Sequence, residues 1–295
     1  MSDAVSMMNE AAERIEPLLS KVFPEDLSSD ITVKAAYYSL LAGGKRIRPT
    51  FMYQVTKMLG KDLSSVDVFA CALEMIHTYS LIHDDLPAMD NDDLRRGNPT
   101  CHIKFGEDIA ILAGDALLNR AFELLFKASF SSENALSAAY NICTLAGING
   151  MIGGQSIDVS SEGKSISIDT LYTLQEKKTG ALLEAAFVTP CILFGCDEKT
   201  TSLIRKIAGH VGLSFQISDD ILDVTSSESD LGKTTGKDER DNKSTFVTML
   251  GLEGARAKLD EEISSSYSIL DSLKDMGYET DHIRPVIGFI AERNF

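Results

Sequence analysis

Apolar residues recur at three- and four-residue steps along nearly the whole chain, and no segment alternates apolar and polar residues as a half-buried strand would. Val5, Met8, Ala12, Ile15 and Leu19 lay one stripe along a helix over residues 4–22. After a turn at Pro24 a second helix runs over about 31–41 and stops at Gly43-Gly44, a common helix exit. Pro49 suits the first position of a third helix over 50–59, because its missing N–H is one that a helix start leaves unbonded anyway. Longer apolar helices are predicted over 66–86, 108–130 and 134–158, although Gly147, Gly150, Gly153 and Gly154 weaken the pattern of the third. Asp169 caps another to about residue 188, and helices over 201–224, 252–275 and 281–292 complete the chain. Residues 226–242 are a polar run with no core pattern, a length that loops reach mainly as functional lids or disordered segments. No linker, repeat or low-complexity stretch divides the chain, so the expectation is an all-α single domain over 1–295.

The aspartates fall where apolar runs end. Asp84, Asp85, Asp90, Asp92 and Asp93 crowd into ten positions, and Arg95 and Arg96 follow at once. Carboxylates this dense repel one another unless hard cations sit among them, and an oxygen-only donor set suits Mg²⁺ far better than Zn²⁺. Asp84 and Asp90 are six apart, about 240° around a straight helix, and could not cooperate there. Pro87 lies between them, so the helix breaks after Leu86 and the chain turns Asp90 back toward Asp84. A second cluster holds Asp219, Asp220 and Asp223; Asp219 and Asp223 are four apart, about 40° around a helix, and share a face. Two such patches on facing helices would grip a metal-bound diphosphate, with guanidinium forks nearby to match phosphate oxygens. For either cluster alone, a solvated acidic turn or surface helix face explains the charges as well. Lys45, Arg46 and Arg48 stand beside the free N–H groups of a helix start, which makes an anion site or a plain basic turn.

Composition narrows the partners. The 295-residue chain is long enough for a substantial core and carries a net charge of −16, which argues against nucleic acid or an anionic membrane as the main partner. Cys71, Cys101, Cys143, Cys191 and Cys196 are odd in number and form no C-x-x-C pair, which fits a reducing cytoplasm. The N-terminus, with Asp3, Glu10, Glu13 and Glu16, lacks the basic start and apolar run of a signal peptide. The apolar stretch 181–196 is interrupted by Glu184 and Pro190 and is too short to span a bilayer. Gly232-Lys233-Thr234 is not a P-loop, since Ser227 stands where the first glycine of that motif belongs.

Five motifs in order, Gly43-Gly44-Lys45-Arg46-Ile47-Arg48-Pro49, Asp84 to Gly97, Lys178-Thr179-Gly180, Gln216 to Asp223, and Gly232-Lys233 with Asp241-Asn242-Lys243, resemble those of the trans-isoprenyl diphosphate synthases. The resemblance runs from about residue 30 to the C-terminus and is nearest to the bacterial members that make farnesyl diphosphate. It implies the isoprenoid synthase fold, a bundle of roughly ten or more helices around a deep central cavity, and a homodimer. The implied reaction joins dimethylallyl and then geranyl diphosphate to isopentenyl diphosphate and releases diphosphate. By resemblance Asp84, Asp90 and Asp219 hold three Mg²⁺, with Mn²⁺ as a substitute, while Asp85, Asp220 and Asp223 complete the catalytic motifs. Arg95, Lys178, Lys233 and Lys243 would meet the allylic diphosphate, and Thr179 and Gln216 would steady the allylic cation. Lys45, Arg48, His77 and Arg96 would hold isopentenyl diphosphate; His83, next to the metal motif, stays structural. The aromatic Tyr79, with two extra residues between Asp85 and Asp90, resembles the pattern that stops at fifteen carbons, and the small Ser80 offers no obstruction of its own. A geranylgeranyl diphosphate synthase, a terpene cyclase and a noncatalytic partner subunit are the alternatives; the basic segment counts against the cyclase and the two intact aspartate motifs against the subunit.

Overall fold

The computed structural model describes residues 3–225 and 244–291. The polar run 226–242, Lys233, Lys243 and Arg293 lie outside the described residues. The chain folds through α1 (Asp3–Leu19), α2 (Ile31–Leu40), α3 (Ile47–Met58) and α4 (Asp67–Asp84), then a short antiparallel hairpin of β1 (Leu94–Arg95) and β2 (Asn98–Pro99). It continues with α5 (Cys101–Phe105), α6 (Glu107–Ser129), α7 (Glu133–Ala146), α8 (Met151–Ser161), α9 (Ile168–Gln175), a π turn (Glu176–Gly180) and α10 (Ala181–Leu193). The helices α11 (Glu198–Thr225), α12 (Phe246–Asp275) and α13 (Arg284–Ala291) follow. The all-α expectation holds, and the hairpin is its one exception among the described residues.

The core forms around α10. Its residues Leu182, Leu183, Phe187 and Val188 are at most 1% exposed, and burying each such side chain is worth about 1.5–3 kcal/mol. The helix has no polar face because it is packed on several sides at once, by α3, α7 and α11. Phe51 of α3 stacks on Phe187 with ring centroids 4.4 Å apart. Around this axis α4 lies against α6, and α11 against α12. Leu63–Asp84 and Glu133–Ser161 are long and apolar enough to cross a membrane by length and composition alone, but 67% of the first is buried inside the fold.

Several boundaries depart from the sequence pattern for physical reasons. The helix expected over 134–158 is two helices, because Gly147 (ψ −158°) and Gly150 (ψ −122°) leave helical space; a Cβ at Gly150 would collide with the Leu145 carbonyl, so the break needs glycine. The helix expected from Asp169 to about 188 is three elements, and Ser167 caps it instead, accepting from Thr170 N–H at 3.1 Å. Pro49 is the third residue of α3, since Arg46 takes the cap position and its carbonyl accepts from Thr50 N–H at 2.9 Å. In α12 the backbone at Gly251 (φ 71°) bends the first turn away from the rest.

Candidate active site

The chain turns back at Pro87. Helix α4 ends at Asp84, and the next residues return along its last turn: Asp90 N–H donates to the Asp84 carbonyl at 2.8 Å, and Asn91 N–H to Leu86 at 3.1 Å, with Asn91 in the left-handed region (φ 50°). Burial pushes the Asp84 carboxyl up to about 6; Lys178 opposes the shift and the neighbouring Asp90 and Asp85 add to it. Asp85 is buried and turned the other way, where Arg95 holds it with Nε 2.9 Å from each carboxylate oxygen. Arg95, expected on a diphosphate, is thus engaged as a bidentate partner of Asp85.

The hairpin places the arginines. Its two-residue loop, Arg96 (φ 53°) and Gly97 (φ 75°), puts both residues in the left-handed region, the type I′ conformation that matches strand twist. A left-handed arginine is strained, and the turn persists because its guanidinium lies over the Gly43-Gly44 backbone and donates to the Gly43 carbonyl. A Cβ at Gly44 would sit 2.7 Å from that guanidinium. Two-residue strands carry no alternation to read, although a glycine closing a short polar turn was there to be seen.

The π turn joins the two aspartate clusters. Its ladder of longer bonds carries Lys178 and Thr179, and such bulges in a helix occur frequently at functional sites. It is held from both sides by glycines: a Cβ at Gly154 of α8 would collide with the Lys178 backbone, and one at Gly212 of α11 would meet the Gly180 Cα at 3.0 Å. Lys178 Nζ pairs with Asp158, one turn beyond Gly154. Thr179 Oγ1 donates to Gln216 Oε1 at 3.2 Å, and Gln216 Nε2 donates to Asp220 Oδ1 at 3.0 Å. The other oxygen of Asp220 accepts from Phe246 N–H at 2.8 Å. Asp220 is 3% exposed, and through these two bonds it orients Gln216 and ties α11 to the start of α12. Asp219 and Asp223, half-buried, remain on the shared face of α11. Lys178, Gln216 and Asp220 line a cavity of about 150 Å³ with Asp158 and Thr245.

A second cavity, about 330 Å³, is lined by Lys45, Arg46, Arg48, Glu74, His77 and Arg96. The four residues expected to bind isopentenyl diphosphate are thus brought together from the turn before α3, from α3 and α4, and from the hairpin loop. Burial, then the charges of Arg48, Arg96, Arg95 and Arg46, hold the His77 imidazole well below its ordinary value, so it stays neutral in this cationic setting. Ser80 Oγ donates to the His77 carbonyl at 2.9 Å, which anchors it to α4. The sequence reading passed over Glu74 and the pairing role of Asp158, whose partners lie 28 and 20 residues away.

The sequence model of the polyprenyl synthetase family matches residues 29–276. The chain is 43% identical over 279 residues to the farnesyl diphosphate synthase of Micrococcus luteus, covering 95% of this chain and 94% of that protein. It is 40% identical over 294 residues to the farnesyl diphosphate synthase of Escherichia coli strain K12, covering 98% and 96%. Its fold is similar to the apo crystal structure of an FPP/GFPP synthase from Zymomonas mobilis, with a TM-score of 0.84, 33% identity and coverage of 97% and 98%.

Proposed function

The chain belongs to the polyprenyl synthetase family, and from that premise we propose that it is a farnesyl diphosphate synthase, joining dimethylallyl and then geranyl diphosphate to isopentenyl diphosphate. The observation that carries the reading is one helix with two anion places. His77, in the cationic cavity, and Asp84, at the first acidic cluster, lie seven residues apart on α4, roughly 10 Å along its axis. One diphosphate then sits on Lys45, Arg48 and Arg96 without a metal, and the other on the aspartates with one.

The fit of a metal rests on the donor chemistry. Oxygen donors alone suit Mg²⁺, which is commonly held by one or two carboxylates plus substrate phosphates and water. Burial raises the proton affinity of Asp84, the charges of Asp90 and Asp85 add to it, and a cation there would offset all three. Asp84, Asp90 and Asp219 would hold Mg²⁺, three per site, and its positive charge would assist departure of the diphosphate. The remaining work falls to the chain. Lys178, released from Asp158, neutralises the leaving group; Thr179 and Gln216 present fixed oxygen dipoles to the allylic carbon; and the apolar walls of α4 and α6 keep water from the cation. As the resemblance to the family implies, the departing diphosphate takes the proton lost after condensation.

A purified sample given labelled isopentenyl diphosphate, each allylic primer in turn and Mg²⁺ yields a fifteen-carbon product on chromatography after dephosphorylation, and chelator stops it. A cyclic hydrocarbon would make the chain a cyclase, a twenty-carbon main product a geranylgeranyl diphosphate synthase, and no turnover a partner subunit.

We also place the protein in the cytoplasm, in keeping with five free cysteines, as a single domain and a homodimer. Leu112, Phe122, Phe126 and Phe130 on and just after α6, with Leu136 and Tyr140 on α7, are exposed, and monomers rarely leave such a stripe in water. Light scattering is expected to give twice the chain mass of 32.1 kDa; a species of single-chain mass at micromolar concentration refutes the dimer.

A further inference from the structure

Among the described residues that line the cationic cavity there is one carboxylate. Glu74 lies on α4, one turn before His77, is 3% exposed, and its Oε2 accepts from Arg46 Nη1 at 2.9 Å. Arg46 is equally buried, donates a second bond to the Leu40 carbonyl at 2.8 Å, and has a left-handed backbone (φ 47°) at the start of α3. A non-glycine residue keeps that conformation only where its surroundings impose it. Here they do so from four directions: Glu74, the Leu40 carbonyl and, more loosely at 3.8 Å, the half-exposed Glu16 hold the side chain, and the Arg46 carbonyl accepts from Thr50 N–H and from Thr50 Oγ1 at 2.8 Å. The neighbours Lys45 and Arg48 flank this fixed point and line the cavity.

We infer that Glu74 is a positioning residue for the metal-free diphosphate site: by holding Arg46 inward it locks the left-handed start of α3 and so aims Lys45 and Arg48 at the anion. The inference rests on the second-diphosphate reading of this cavity. A carboxylate in an anion site has an obvious rival role, which is to dilute its positive charge. The two roles predict opposite signs. If Glu74 only dilutes charge, its removal strengthens anion binding; if it positions, removal weakens binding even though the site becomes more positive.

Glu74→Gln is expected to raise KM for isopentenyl diphosphate roughly tenfold or more, on the scale of positioning losses, while KM for geranyl diphosphate stays within twofold. Titration calorimetry with inorganic pyrophosphate in metal-free buffer reads the cavity without turnover and should show the same loss of affinity. Removing one partner of a buried ion pair endangers folding. The variant Glu74→Asp keeps a buried carboxylate near Arg46 but shortens its reach, so positioning predicts weaker pyrophosphate binding where charge dilution predicts none, with circular dichroism confirming the fold of whichever variant is measured. Unchanged or tighter pyrophosphate binding with unchanged KM overturns the inference, as does an equal rise of both KM values. Absence of prenyl transfer by the unmodified protein would instead overturn the proposed reaction, and the pyrophosphate titration would still decide the role of Glu74.

Discussion

Asp219→Asn lowers kcat by about a thousandfold or more at saturating Mg²⁺, the scale on which losing one preorganised charge costs an ionising enzyme, and leaves thermal melting almost unmoved. The two halves of that expectation come from the neighbouring positions on α11. Asp220 is buried, with its oxygens on Gln216 and Phe246 N–H, so the packing of the helix against α12 depends on Asp220. Asp219 is half-buried and lies on the face it shares with Asp223, where in the proposed reaction its charge would serve the metal. Asparagine keeps the shape and removes the charge, so the fold survives and the metal loses a donor. Steady-state assays across a Mg²⁺ titration decide the matter, with melting followed by circular dichroism. A variant with kcat within tenfold of the parent shows that the second cluster holds no metal; a large drop in melting temperature shows that Asp219 supports the fold.

How much of this was legible depended on whether a feature was local. The amphipathic stripes of α1, α4, α6 and α11 carry their own period, and Pro87 announces the turn that returns Asp90 to Asp84. The π turn is invisible for the opposite reason: one extra residue in a single turn does not disturb the run of apolar positions around Lys178 and Thr179. The hairpin escapes because two residues per strand have no alternation. Arg46 reads as one more cation among Lys45 and Arg48, and only the fold places Glu74 beside it. Asp220 reads as a twin of Asp219, yet a rotation of 100° along the helix separates a half-buried carboxylate from a buried one. Sequence spacing identified which residue types gather; assigning inward and outward members required the partners.

Tyr79→Ala shifts the main product from fifteen carbons to twenty or more. A tail whose diphosphate is held at Asp84 must run along α4, and Tyr79 stands five residues back, about 7.5 Å along the axis. In projection the two residues are about 140° apart, which by itself would suit an ordinary core tyrosine. The structure adds two observations. The phenol is pushed up to about 12 by burial and then by the charge of Asp84, so the ring lies within the electrostatic reach of the first acidic cluster. It is also braced: the ring meets His83 edge-on at 5.7 Å, and His83 is seated in a notch on α6, with Nε2 3.1 Å from the Ile111 carbonyl and Gly114 leaving the space it needs. A ring so held cannot swing aside for a longer chain, whereas Ser80 is too small to obstruct and is bonded back to the helix. Truncating a buried aromatic costs about 3–5 kcal/mol, so the variant is assayed below its own melting temperature. Chromatography of dephosphorylated products from geranyl and isopentenyl diphosphates gives the answer. If the alanine variant, folded and active, still stops at fifteen carbons, the barrier lies on another wall of the cavity, and the facing residues of α6 become the next to shorten.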